Sequence, residues 1–543
     1  MRIRAITIAI CSIILLFGVC CTALETSAGE TGKSNTQQSA NLHLAALQGN
    51  LNAVRQHIEA GSDLNRKDAY GSTPLIIATT FGRAKVAKAL IEAGANIEIK
   101  NNEGSTPLHL GAFFGRTEIV KALLENGANR YSRNNAGATA FDIVAAPFDD
   151  DRGIYDQILT ALAPLGLKLD YEHIRMVRPR IALMLRSRPE DLEPIDYAPL
   201  PGNDWKLSTP SEQGLEPTLV AELYRDASEM EKLYGLLVVK NGYLIAEGYF
   251  NQASFEQKAL LQSVTKSYTS ALVGIALHQG HLSNVNQKMM DFFPELTDQV
   301  SDPRKMQITI RDMLQMRAGY QWEESSPKLF KILYEGFRPS HLVDFPLIHD
   351  PGTEFNYSNL TSHLLAVIVA RACGKDLKSY AYTNLFSPLG VVVGDPWWRD
   401  LEDNYIGHGG LRFTARDAAK FGLLYLNGGE YDGKQLVSAD WVINSLKTHV
   451  QNVSTGAPKS GKLGRYFRKV GYGYQWWSAT VRDHRINYAA GHGGQLIILL
   501  EKHKMIIVVT SDPFLGQHGG QAWAHENANF NLVGKFIRSL PSE

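Results

Sequence analysis

The spacing of apolar residues changes three times along this chain, and each change predicts a different kind of element. Arg2 and Arg4 precede a mostly apolar run from Ile6 to Cys21, which ends in small residues at Cys21, Thr22 and Ala23. A basic start, an apolar middle and a small-residue exit make residues 1–23 an export signal. The run is slightly long for a cleaved signal and short for a membrane span. A tether, either the run itself or lipid on Cys20 or Cys21, is therefore an open alternative to cleavage. Residues 24–40, rich in Ser, Thr, Gln and Gly, read as a flexible tether. Much later the apolar runs take strand length. Leu236 to Lys240 and Tyr243 to Phe250 flank Asn241-Gly242, the strongest short hairpin signal. A second hairpin joins Gln495–Leu500 to Met505–Thr510. Helical text, such as Tyr268 to Leu277 and Leu364 to Cys373, lies between the two hairpins, which predicts an α+β domain whose antiparallel sheet is completed late.

Between the leader and the first hairpin the pattern is periodic. Gly71, Gly104 and Gly137 are 33 residues apart, as are Gly61, Gly94 and Gly127, and Gly49, Gly82 and Gly115. The text around them repeats too: Gly71-Ser-Thr-Pro-Leu75 returns as Gly104-Ser-Thr-Pro-Leu108. Thr-Pro supplies a helix cap and a pre-set first residue, and glycine ends a helix at positive φ. This resembles ankyrin repeats, with two full copies, a leading partial one from about Asn41 and a degenerate one after Gly137. The resemblance implies an all-α stack over 41–170 and a protein partner. Residues 171–203 read as a connector, because the stretch from Pro189 to Pro201 holds no regular element, and the boundary is placed near Gly202.

Composition adds exclusions. Lys plus Arg equals Asp plus Glu at 55 each, so nothing in the balance suggests a nucleic-acid partner. Only Cys373 remains beyond the leader, which excludes an internal disulfide, and its apolar helical setting reads as a buried structural thiol. The histidines form no ligand-like cluster, and His518 and His525 read as surface residues, so neither a metal nor a cofactor is expected.

The candidate chemistry lies in residues 204–543. Ser263-Val-Thr-Lys266 opens a helical stretch, and positions three apart share a helix face. A lysine whose pKa is lowered by burial can take the proton of a serine hydroxyl, and the amides at a helix start favour a developing oxyanion. The spacing alone is cheap, since Ser325-Ser-Pro-Lys328 has it as well. Tyr-x-Asn occurs at Tyr357, Tyr382 and Tyr425, but only Tyr357-Ser-Asn359 follows a turn-forming loop, Pro351 to Asn356. Gly491-His-Gly-Gly494 precedes the strand at Gln495, whose backbone N–H is a candidate second oxyanion donor.

In this order the three motifs resemble the serine β-lactamase and penicillin-binding-protein superfamily, closest to its class C-like branch. The resemblance implies Ser263 as acylated nucleophile, Lys266 as proton acceptor and Tyr357 as proton shuttle. It implies Asn359 as an orienting group and His492, Gly494 and Gln495 as the substrate-binding and oxyanion wall. His492-Gly493-Gly494 stands where such enzymes commonly carry Lys-Thr-Gly or Lys-Ser-Gly, so the cation that grips a substrate carboxylate is missing. The expectation is an exported, periplasmic serine hydrolase of small esters or amides. A class C-type β-lactamase or D,D-peptidase, and a ligand sensor that signals through the ankyrin stack, are the alternatives.

Overall fold

The structure is a computed structural model, and it describes residues 35–145, 148–186, 195–453, 464–514 and 520–542. The expected export segment and all of the tether before residue 35 lie outside the described residues. The chain divides into two compact units, Met1–Asp191 and Leu192–Glu543.

The first unit is a stack of helix pairs: α1 (Asn35–Gln48) with α2 (Leu51–Glu59), α3 (Pro74–Thr80) with α4 (Ala84–Glu92), and α5 (Pro107–Phe113) with α6 (Thr117–Glu125). Thr73 caps α3 by accepting from the Ile76 N–H, with Pro74 as the first helical residue. Gly82 and Gly115, both at φ +68°, turn the chain between the helices of a pair. Contacts between repeats recur at the repeat length, since Lys67 Nζ donates to Lys100 O and Lys100 Nζ to Arg133 O, each at 2.9 Å. The stack is closed by α7 (Ala140–Ala145), α8 (Phe148–Leu162) and α9 (Tyr171–Leu185).

Two boundaries differ from the sequence reading. Helix α1 begins at Asn35, inside the stretch read as tether, because Leu42, Ala45 and Ala46 on it are core residues of the stack. The stretch 171–203 is not a connector throughout. Helix α9 buries Ile181 and Leu185 in the stack, while Tyr197 O accepts the Glu247 N–H and the Leu200 N–H donates to the Glu247 carboxylate, so 195–203 lies against the second unit's sheet. The division falls between Asp191 and Leu192, not near Gly202.

The second unit is α+β. Its antiparallel sheet holds β1 (Leu233–Lys240), β2 (Tyr243–Tyr249), β3 (Val450–Gln451), β4 (Phe467–Tyr472), β5 (Trp477–Val481), β6 (His484–Gly491), β7 (Gln495–Leu500) and β8 (Met505–Ser511). Their order is β2-β1-β8-β7-β6-β5-β4-β3, so the early hairpin is joined to the rest by the last strand. Both faces of the central strands are buried. Ile497, Leu499, Ile506 and Val508 point to one core, and Leu496, Ile498, Ile507 and Val509 to the other. That is why β7 and β8 read as unbroken apolar runs and not as alternating ones.

One face is covered by α10 (Pro217–Ser228) and by α14 (Gly520–Ser539), and the other by α13 (Ala415–Leu426) and a helical region. Within that region α11 (Thr265–His278) and α12 (Asn359–Cys373) pack side by side, and each is buried on nearly every face. Cys373, at the end of α12, is half-buried, because the helix surfaces there beside the partly exposed Arg371 and Ala372. His525 lies half-buried on α14 and not in a surface turn, whereas His518 is outside the described residues.

Candidate active site

Ser263 occupies the 3-10 turn Gln262–Val264 that leads into α11, and this turn packs against β6 and β7. Gln262 is held at φ +50°, an uncommon conformation for a residue with a side chain. Gly491 makes the close approach possible: a Cβ there would sit 2.2 Å from Leu261 O.

Lys266, one turn along α11 and 1% exposed, points its Nζ at three oxygens. They are Ser263 Oγ at 2.8 Å, Asn359 Oδ1 at 2.8 Å and His408 O at 3.2 Å. Burial lowers its pKa from 10.5 to about 7, against the opposing pull of Glu323 and Glu324. Nζ also lies 4.8 Å from the centre of the Tyr357 ring. Burial raises the Tyr357 pKa, and Glu324, Glu323 and Glu526 raise it further, while its hydrogen bond with Ser263 works the other way. The phenol is therefore neutral near pH 7. Its ring stacks on Trp477 from β5, with centroids 5.7 Å apart.

Residues far apart in sequence hold this geometry. Glu323, fully buried, accepts from Ser358 Oγ, the Asn359 N–H and the Leu360 N–H, each at 2.9 Å, and so fixes the start of α12 where Asn359 sits. Its own pKa is raised by burial, with those three donors pulling back. Gln475 ties α11 and α12 to the loop before β5, because its carbonyl accepts from Ser267 Oγ and its side-chain oxygen from Ser362 Oγ, both at 2.7 Å. Neither residue was singled out from the sequence.

The structure thus brings Ser263, Lys266, Tyr357 and Asn359 together. The decoys stay apart from them: Ser325 Oγ donates to Trp322 O and Lys328 is exposed. Tyr382 is exposed, and Tyr425 packs against Phe421 and Trp476. His492 is exposed on the turn between β6 and β7, with Nδ1 3.9 Å from Glu526 Oε2, and burial of its surroundings lowers its pKa. Gly494, at φ +87°, abuts the Asn529 amide, which a Cβ would meet at 2.2 Å. The Gln495 side chain is taken up by β8, donating to Ser511 O and accepting from the Ser511 N–H, and the residue is fully buried. Among the described residues no cluster of His, Cys, Asp and Glu could hold a metal ion.

Comparison with known proteins agrees with this architecture. A β-lactamase family model matches residues 222–529, more than half of the chain, and an ankyrin-repeat model matches residues 42–134. The 6-aminohexanoate-dimer hydrolase of Paenarthrobacter ureafaciens is 27% identical over 292 residues, 51% of this chain and 72% of the relative. Among solved structures, EstCE1, a hydrolase with promiscuous acyltransferase activity, is 15% identical with a TM-score of 0.45, covering 57% of this chain and 98% of its own. The octameric penicillin-binding protein homologue from Pyrococcus abyssi is 16% identical with a TM-score of 0.42, covering 56% and 74%. The chain belongs to the β-lactamase family and carries ankyrin repeats ahead of that domain.

Proposed function

We propose that the second unit is a serine hydrolase that cleaves small esters or amides through an acyl-serine intermediate. The observation that carries this reading is the 2.8 Å contact between Lys266 Nζ and Ser263 Oγ, made by a lysine that burial brings to about pH 7. Neutral Lys266 takes the Ser263 proton as Oγ attacks the carbonyl carbon, and the collapsing tetrahedral adduct expels a leaving group that receives a proton through Tyr357. A phenol that keeps its proton near pH 7 has one to pass on as another arrives, which makes Tyr357 the relay and Lys266 the base in this scheme. Water then attacks the acyl carbon, gives up its proton along the same route, and releases Ser263. The Ser263 and Gln495 backbone N–H groups are the oxyanion donors in this scheme, and Asn359 keeps Nζ in place.

His492 favours esters and amides over β-lactams. An imidazole driven toward its neutral form does not replace the lysine that grips a carboxylate. The basic and apolar leader supports export to the periplasm, with or without a membrane tether, and the ankyrin stack supports a protein partner. Purified protein assayed on nitrophenyl esters, D-amino-acid amides and a chromogenic cephalosporin tests the substrate class. Turnover of esters or amides and not of the cephalosporin is expected. Cephalosporin turnover without ester or amide turnover would reverse the assignment.

A further inference from the structure

Helix α14 brings one more carboxyl to the site, behind the His492-Gly493-Gly494 turn. Glu526 is 7% exposed, and its Oε2 has no hydrogen-bond partner. His492 Nδ1 is 3.9 Å away, beyond hydrogen-bonding distance. A buried polar atom left without a partner costs free energy, so Oε2 favours an incoming donor. Burial and the charge of Glu324 push the Glu526 carboxyl up to about 8, with the Gly493 N–H opposing.

Three carboxyl groups act on the reacting groups. Glu323 and Glu324 act on Lys266, and both of them together with Glu526 act on Tyr357. Lys266 Nζ already faces three oxygens, those of Ser263, Asn359 and His408. Among the described residues, an anionic substrate would meet these carboxyl groups, with Lys266 already engaged. A cationic one would meet the unpartnered Oε2.

We propose that Glu526, with Glu324 beside it, forms an ammonium subsite, so that the preferred ester or amide carries a protonated primary amine near its scissile bond. This rests on the acyl-serine reading above. As the ammonium enters, Oε2 accepts one of the ammonium N–H groups. The incoming charge supplies the missing partner and favours the ionised form of Glu526.

The test is calorimetric titration of full-length Ser263→Ala protein with amides of equal length that end in an ammonium, a methyl or a carboxylate group. One series carries that group on the acyl chain and the other on the leaving group. In at least one series the ammonium ligand is expected to bind about tenfold tighter than the methyl ligand, as one charged hydrogen bond allows. The carboxylate ligand should be the weakest. In Ser263→Ala/Glu526→Gln the ammonium-to-methyl ratio should fall to about one, and in Ser263→Ala/Glu324→Gln it should fall part of the way. Ammonium binding no tighter than methyl binding in both series overturns the proposal, as does a ratio unchanged by Glu526→Gln. If Glu526→Gln does not fold, the ratio in the parent protein and its drop with Glu324→Gln decide. An ammonium preference in binding without turnover of any ester or amide by the wild type supports the subsite and sinks the hydrolase reading. Turnover without the preference does the reverse.

Discussion

Replacing Lys266 by methionine, a neutral side chain of similar shape, should stabilise the second unit at low pH and lose that advantage as pH rises. The lysine pKa falls from 10.5 to about 7 on folding, a difference worth about 5 kcal/mol at 1.36 kcal/mol per unit. The sign follows from which state holds the proton. Below about pH 7 the folded and unfolded chains both carry it, and the folded chain bears the full cost of a buried ammonium. Above pH 7 the folded chain releases the proton while the unfolded chain keeps it, so wild-type stability rises with pH until the unfolded lysine titrates. The stability of Lys266→Met minus that of wild type should therefore be level up to about pH 7 and then fall by about 1.4 kcal/mol per unit, or about 3 kcal/mol by pH 9. Hydrogen bonds lost with the amine shift this difference by a constant and leave its slope unchanged. Every tryptophan, from Trp205 to Trp523, belongs to the second unit, so fluorescence-detected urea unfolding of the whole chain reports on that unit alone. Wild-type kcat/KM should rise about tenfold per pH unit up to about 7 and level off above it. A stability difference that stays flat from pH 6 to 9 would refute the idea that burial makes Lys266 a base.

Tyr357→Phe should lower kcat by at least about a hundredfold, because it removes the proton relay and keeps the ring on Trp477. Ester turnover within a few-fold of wild type would remove Tyr357 from the mechanism. Gly491→Ala should lower kcat/KM strongly with a smaller loss of stability. Its new Cβ would stand 2.2 Å from Leu261 O and push the Ser263 turn off the sheet, whereas Gly242→Ala, with open space around it but a φ of +80°, should cost stability and leave turnover unchanged. Steady-state kinetics on a nitrophenyl ester, beside urea unfolding, distinguishes the two glycines.

The legible parts of this chain are those that repeat or that lie close together in sequence. The ankyrin stack could be read because its glycines recur at one spacing, so the chain could be compared with itself. The two hairpins could be read because Asn241-Gly242 and a short polar turn each join long apolar runs. Ser263 and Lys266 share one turn of helix, and Asn359, 93 residues away from Lys266, was found only because Tyr357 and the preceding loop marked it. Glu323 and Gln475 escaped notice because their partners come from other elements, 36 residues away for Asn359 and 113 for Ser362. Glu323 even sits beside the Ser325 decoy, where the Ser-Lys spacing draws attention to the wrong side chain. The unit boundary was misplaced because proline density marks the loss of helix and strand but not which neighbour a segment bonds to. In this chain Tyr197 and Leu200 bond to Glu247 of the second unit.

The central claim is that Ser263 becomes acylated, and active-site labelling reads it directly. Intact protein treated with a fluorophosphonate and digested for mass spectrometry should carry the adduct on the peptide that contains Ser263, and Ser263→Ala should carry none. An adduct that persists in Ser263→Ala, or that falls on Ser325, would contradict the account.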